Sequence, residues 1–561
     1  MPIDQLKKAK KSANVFQYVE GKKDSTILSP EDLAQVLARR TEANTEMLMW
    51  KNILDQAHTY ATPNNNSWRN STLQNSTIST VFPGQDYGAP VYDLALPIAH
   101  RRLLSKMLVG MIPKAQQWMR FEPGDDFLEG TPEYQQVAAL ADILSEQFFK
   151  ILDRSNFYLA ASEAMSDCLI STGFMTINEG TRENPFRFAS VSDSQVMVEG
   201  DPMGGISAIF RDWLDVKVGQ IHSIWKDANK PKEKKDSDVV TIFECSYIDW
   251  SAKEDERYCY ALISTGDEVL YFTRSKSWPW VYFRMMVLPG EVRGRGPSLE
   301  ATPTAATINR AMHDELMAAA FQANPMYMAA SDSAFNTATF VARPGSVVPV
   351  QMQMGEWPIA PFPQAGNVQF TAIVIADLRQ QINELLYTDP LGPITGPTIT
   401  ATEANIRWTE NLESFSAMVP RLQAEFFDPV IKRCMFLMRK LRPEIFEGMD
   451  QKILERIVSI DGDIIGLRYE TPLMTARGEV NLRRFMTYMQ AMATAAGPEA
   501  ALASLNMVQI PEFVRESVGL DAKLIKPMEQ VAQEIKAVED QAALELEQAN
   551  TLTDEQIVNN A

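Results

Sequence analysis

The sequence predicts an α+β protein, mainly helical, and three observations carry that prediction. Between Gly294 and Arg442, two runs of helical period flank a short Pro-rich insert and lead through an uncharged loop into a third, longer run. From Gly173 to Pro289 the period falls to two, in short stretches of β-branched and aromatic residues. At 561 residues, with 45% hydrophobic and 22% charged, the chain is too long for one core and has the composition of a folded soluble protein.

In chain order, Met1 to about Pro63 starts with Lys7, Lys8, Lys10 and Lys11, which read first as a solvated basic tail and otherwise as a contact for DNA or an acidic neighbour. An amphipathic run from Pro30 to Tyr60 follows, carrying Leu33, Val36, Leu37, Met47, Trp50 and Leu54. Asn, Ser and Thr crowd Thr62 to Thr80, a loop. Val91 to Met111 predicts a helix ended by Pro113, and Trp118 to Pro123 a strand. Pro132 to Ser171 predicts a helical hairpin burying Phe148, Phe149, Leu152, Phe157 and Met165.

The strands of one antiparallel unit are then expected at 174–178, 195–199, 206–212, 239–247, 259–264, 269–271 and 280–286, with a lysine-rich solvated break at Lys226 to Lys235. Next comes a helix from Pro297 to Asn324, since Pro suits a first turn and Ser298 can cap. It has Ile308, Met312, Leu316 and Ala319 on one stripe. Met326 to Gly366 is a small β element at a hairpin tip, and Val368 to Tyr387 is the returning helix with Ile375, Leu378, Ile382, Leu385 and Leu386. Thr388 to Thr400 has one charge in thirteen residues, too many breakers for a core segment and too little charge for a free linker. Thr400-Ala401-Thr402-Glu403 has capping-box spacing, so a helix runs from there toward Arg442, bending or breaking at Pro420 and Pro429. Beyond Arg442 the expectations are short pieces around Phe446, a segment from Ile453 to Leu467 with a turn at Asp461-Gly462-Asp463, and helices at 478–496, 500–505, 510–518 and 527–551. The last has Val531, Ile535, Val538 and Ala542 at near-heptad spacing. Residues 521–561 hold nine acidic and three basic residues, which fits a helix that packs on its own subunit or bundles with copies of itself.

The net charge of -19 argues against a protein that grips DNA through a basic surface, and leaves room for a conduit whose acidic wall keeps a duplex from sticking. Cys168, Cys245, Cys259 and Cys434 are scattered, so neither a disulfide framework nor a zinc site is expected, and folding in a reducing cytoplasm is. No signal peptide and no membrane-spanning run are expected. No phosphate loop, H-E-x-x-H or G-x-S-x-G occurs, the four histidines lie in separate elements, and the Asp461 turn lacks the ligand pattern of a calcium loop. The reading is a non-enzyme with no cofactor, no metal and no catalytic residue. If it handles DNA, the energy comes from a partner.

Four short stretches in fixed order carry a family resemblance: Val292-Arg293-Gly294-Arg295-Gly296-Pro297-Ser298-Leu299, Ala323-Asn324-Pro325, Arg343-Pro344-Gly345-Ser346-Val347 and Thr400-Ala401-Thr402-Glu403-Ala404. With Asn156-Phe157, Ile170-Ser171-Thr172-Gly173 and Glu470-Thr471-Pro472-Leu473, the sequence resembles the portal, or head-to-tail connector, proteins of short-tailed bacteriophages.

The resemblance implies a portal fold with wing, stem, clip and crown regions, assembled as a ring, usually dodecameric, around an axial channel. By segment it implies an N-terminal wing at 1–293, stem helices at 294–325 and 367–387, and a clip at 326–366. A tunnel loop at 388–400, a long bent wing helix with its following segment at 401–479 and a helical crown at 480–561 complete it. The tunnel loop would present Asp389, Pro390, Leu391, Gly392, Pro393, Ile394, Thr395, Gly396, Pro397 and Thr398 to DNA. That loop has no Lys or Arg, so phosphate-touching cations would come from the stem at Arg310 or Arg379, for which a salt bridge or a solvated face is the equal alternative. Clip residues Phe335, Phe340, Arg343, Val348 and Trp357 would meet partners. The implied partners are other copies of the chain, the terminase large subunit, tail adaptor and nozzle proteins, major capsid and scaffolding proteins, and double-stranded DNA held without sequence preference. The implied place is the portal vertex of the virion, after assembly in the bacterial cytoplasm. Two other classes stay open: a helical scaffold or adaptor that does not enclose DNA, and an enzyme whose site the motifs do not reveal.

Overall fold

Ser29 opens the first helix: its hydroxyl accepts the amide of Asp32 at 3.2 Å, and Pro30 supplies a first turn with no amide to satisfy. The computed structural model describes residues 28–63, 91–114, 116–123, 132–232, 234–253, 256–323, 327–329, 359–361, 368–388, 418–446, 465–469 and 472–497, with Ile510 and Val514. Helix α1 covers Pro30–Ala61 and buries Val36, Trp50 and Leu54, members of the expected stripe. Helix α2, Ala95–Met111, ends two residues before Pro113, and strand β1, Met119–Pro123, follows. The hairpin α3, Pro132–Arg154, and α4, Phe157–Cys168, buries all five predicted side chains. Trp118 packs among them, 5.4 Å edge-on to Phe149 and 5.0 Å from Phe427.

The β region holds β2 (Thr172–Glu179), β3 (Phe186–Val191), β4 (Val196–Gly200), β5 (Ile206–Lys217), the short helix α5 (Ile221–Ile224), β6 (Val239–Ile248), β7 (Tyr258–Ser264), β8 (Val269–Ser275) and β9 (Trp280–Arg284). It forms two antiparallel sheets, not the one unit expected: a three-stranded β3-β2-β9 and a five-stranded meander β4-β5-β6-β7-β8. The split arises because β9 returns to pair with β2, Trp280 opposite Thr176, instead of extending β8. Strand β3 escaped the sequence reading; it is six residues long and opens directly after Asn184-Pro185, which reads as a turn. Helix α1 lies on the meander, where Val36 and Ala43 join Met197, Phe210, Cys245 and Ile263 in one core.

The expected helix over 297–324 is two helices, α6 (Pro297–Glu300) and α7 (Thr302–Ala323). Pro303 has no amide to give the Leu299 carbonyl, so the ladder is interrupted there, and the Thr302 hydroxyl bonds the Ser298 carbonyl at 2.9 Å. Strands β10 (Tyr327–Ala329) and β11 (Ile359–Pro361) pair antiparallel at the root of the Pro-rich insert, and α8 (Val368–Leu385) packs back along α7. Farther on, α9 (Val419–Leu422) passes into a π-turn at Gln423–Phe427 and then α10 (Asp428–Leu441). Pro429 cannot bond the Glu425 carbonyl, and the run widens into one π-turn instead of ending. No strand was expected after Arg442, yet β12 (Ile465–Tyr469) pairs with β1, Phe121 opposite Leu467; α11 (Pro472–Ala496) follows. The expected helices at 500–505 and 527–551 lie outside the described residues, as does most of 510–518.

Candidate functional site: the helical hairpin and its anchor

The stretch Arg293 to Ser298 joins the β region to α6 and α7, and five of its six residues are fixed by contacts of their own. Arg293 is wholly buried; its guanidinium pairs with Asp193, also wholly buried, and donates to the Val196 carbonyl at 2.5 Å. A Cβ on Gly294 would stand 2.5 Å from the Ser171 carbonyl oxygen, and one on Gly296 2.1 Å from that of Leu169, so only glycine lets the strand lie against the end of α4. Arg295 pairs with Glu291 at 2.7 Å and lies over the Trp50 ring of α1 at 5.1 Å. Ser298 bonds Nδ1 of His100 at 2.9 Å, and Nε2 of the same ring meets the Ser166 hydroxyl at 3.0 Å. This imidazole bridges α6, α2 and α4 in its neutral form. Burial holds it down to about 4, with Arg101 adding repulsion. His58 on α1 is held down to about 3, first by burial and then by His100.

A second joint surrounds Arg284 at the end of β9. Its side chain, almost fully buried, makes a two-pronged pair with Glu425 in the π-turn at 2.7 and 3.1 Å. It also donates to the carbonyls of Val292 at 2.7 Å and Gly204 at 3.0 Å. One guanidinium thus ties the π-turn, the anchor strand and the β4–β5 turn together. The neighbouring Phe426 ring sits 4.6 Å from Phe283.

From this anchor the hairpin α7/α8 projects. Along its inner face Ile308, Ile375, Ile382 and Leu386 are buried. Three polar contacts from the α2 region hold it: the Tyr92 amide donates to Asn309 at 2.6 Å, Arg379 pairs with Asp93 at 2.5 Å, and Lys106 donates to the Tyr387 carbonyl at 2.7 Å. Tyr387 adopts φ +51°, a left-handed helix end, and the Thr388 amide returns to Asn383 at 2.7 Å, which fixes where the uncharged loop begins. Toward the tip the stripes emerge into solvent: Leu316 is 50% exposed and Ile373 69%, with Met317 and Val374 also exposed.

Of the sequence-selected residues, Arg379 is in an ion pair with Asp93 of its own chain and Arg310 is exposed. The ten loop residues Asp389 to Thr398, and Phe335, Phe340, Arg343, Val348 and Trp357, lie outside the described residues. Sequence reasoning missed Arg284, Glu425, Asp193 and His100. The only local signal was an Arg or a Glu inside an apolar-periodic run. Among the described residues no group of three His, Cys, Asp or Glu is placed to hold a metal, and no helix is long and apolar enough to cross a membrane.

The family model of the bacteriophage head to tail connecting protein matches residues 33–525. The chain belongs to that family. No curated protein matches it. The match runs through the anchor and the hairpin, on through the π-turn and α11. This connector is therefore a structural component of the phage particle, associated with head and tail, and its α+β fold is the one the sequence predicts.

Proposed function

We propose that copies of this connector close into a ring, dodecameric by resemblance, at one vertex of the capsid, with α7 and α8 of each copy forming the wall of an axial channel. Terminase drives double-stranded DNA inward through it during packaging, DNA leaves by it at ejection, and tail adaptors attach at the segment between β10 and β11. The observation that supports this most is the unfinished hairpin: its base is pinned at Asn309, Asp93 and Tyr387, while apolar side chains near its tip face solvent on both helices. A neighbouring copy in a head-to-tail contact covers such faces, and heterologous contacts of constant rotation close into a ring. The uncharged loop leaves α8 at a fixed point, so in a ring it repeats at one level, offering a passing duplex few strong phosphate contacts. Arg379 is held by Asp93, which leaves Arg310 as the channel cation of the two. Electron microscopy of the purified protein, with mass from light scattering, tests the reading. Rings with an axial hole as wide as a duplex are expected; monomers that stay monomeric with scaffold and capsid protein added would refute it.

A further inference from the structure

Helix α2 carries a surface that neither the fold nor the channel reading uses. From Leu94 to Lys114 the chain has four cations, Arg101, Arg102, Lys106 and Lys114, and no Asp or Glu, in a protein whose net charge is -19. Along one side of α2 the side chains of Leu94, Ile98 and Val109 are 55%, 46% and 57% exposed, a stripe on the order of 20 Å long. Arg101, Arg102 and Ser105 on the same side are exposed too, and neither arginine enters an ion pair with a described residue. A stripe of three apolar side chains flanked by unpaired guanidinium groups is a poor match for a phosphate backbone, which is met by cations and polar donors alone. It matches an acidic amphipathic helix, which lays apolar residues on the stripe and carboxylates beside the arginines.

The chain itself contains such a segment. Helix α11 packs against α2 and ends at Gly497, φ +89°. Pro527 to Thr551, farther along, places Val531, Ile535, Val538 and Ala542 on one helical stripe, with Glu534, Glu539, Asp540 and Glu545 around it. We infer that the exposed face of α2 is the docking site for the acidic segment Pro527–Thr551 of this chain. The docked segment covers Leu94, Ile98 and Val109 and brings its carboxylates to Arg101 and Arg102. The inference does not depend on ring closure or on a DNA channel.

Ser105 sits in the middle of the stripe, and the four native cysteines are all buried, so Ser105→Cys places one reactive thiol at the site. Its rate of modification by a maleimide is measured in the full-length chain and in a chain ending at Lys526, with equal unfolding midpoints as the check on fold. The full-length chain is expected to react about tenfold more slowly or less, and truncation to abolish that protection. R101E together with R102E, in the full-length S105C chain, should speed the reaction to the truncated rate, and keeps the test decisive if the truncated chain does not fold. Equal rates in the full-length and truncated chains overturn the inference, whether both are fast or both are slow because another copy covers the face. Protection that appears only when duplex DNA is added overturns it too, and assigns the face to phosphate.

Discussion

The anchor and the far half of the hairpin are built from the same kinds of residue and do opposite things. Around Arg293, Gly294, Gly296 and Ser298 every side chain and every missing side chain has a counterpart within the chain. Along α7 the stripe that begins with buried Ile308 continues to Leu316, which is half exposed, with no change in period. The difference teaches that periodicity announces a face to be covered and says nothing of what covers it. The anchor is finished by its own chain; the hairpin tip is left exposed.

The largest effect that would test this contrast belongs to the anchor. Arg293→Ala strands the carboxylate of Asp193 in the core and should lower the unfolding free energy by about 3–5 kcal/mol, read from urea denaturation. A loss under about 1 kcal/mol would mean that the pair is not structural. At the base of the hairpin, Ile308→Ala should lose about 2–4 kcal/mol by the same measurement, because a wholly buried side chain leaves a cavity.

Acid should weaken the anchor next. His100 and His58 refuse protons in the folded chain down to about 4 and about 3, while in the unfolded chain they accept them near 6.5. Their contribution is therefore complete above pH 6.5 and is lost as pH falls toward 4. At pH 5 the loss amounts to about 2 kcal/mol per histidine. His100→Gln should halve the steepness of that fall in midpoints measured from pH 7 to 5; an unchanged slope would contradict the assignment. The smallest effect lies at the tip, where Leu316→Ala should move the unfolding free energy of the subunit by less than about 0.5 kcal/mol. The same substitution should reduce the ring fraction in light scattering, and a chain that assembles undiminished would place Leu316 outside the contact between copies.

Much of the fold was legible because local chemistry set it. The amphipathic run beginning at Pro30 matched the start of α1, Pro113 marked the end of α2, and alternation located seven of the eight described strands between Gly173 and Pro289. What stayed hidden depends on residues distant in sequence: β9 choosing β2 over β8, and Arg284 meeting Glu425 across 141 residues. Pro429 was readable as a disturbance, but nothing near it in sequence announces that the run widens into a π-turn whose Glu425 meets Arg284. Arg379 shows the same limit, since nothing near it announces Asp93, 286 residues earlier.

The pairing of β1 with β12 has a consequence in time. The strand that pairs with β1, Phe121 against Leu467, emerges only after everything between the two has been made. Until then β1 offers an open edge, and its five residues are kept brief enough to make a poor template for other chains. Closure of the body thus waits for a strand made long after β1. The part of the body around β1 therefore folds as a unit only once both strands have been made.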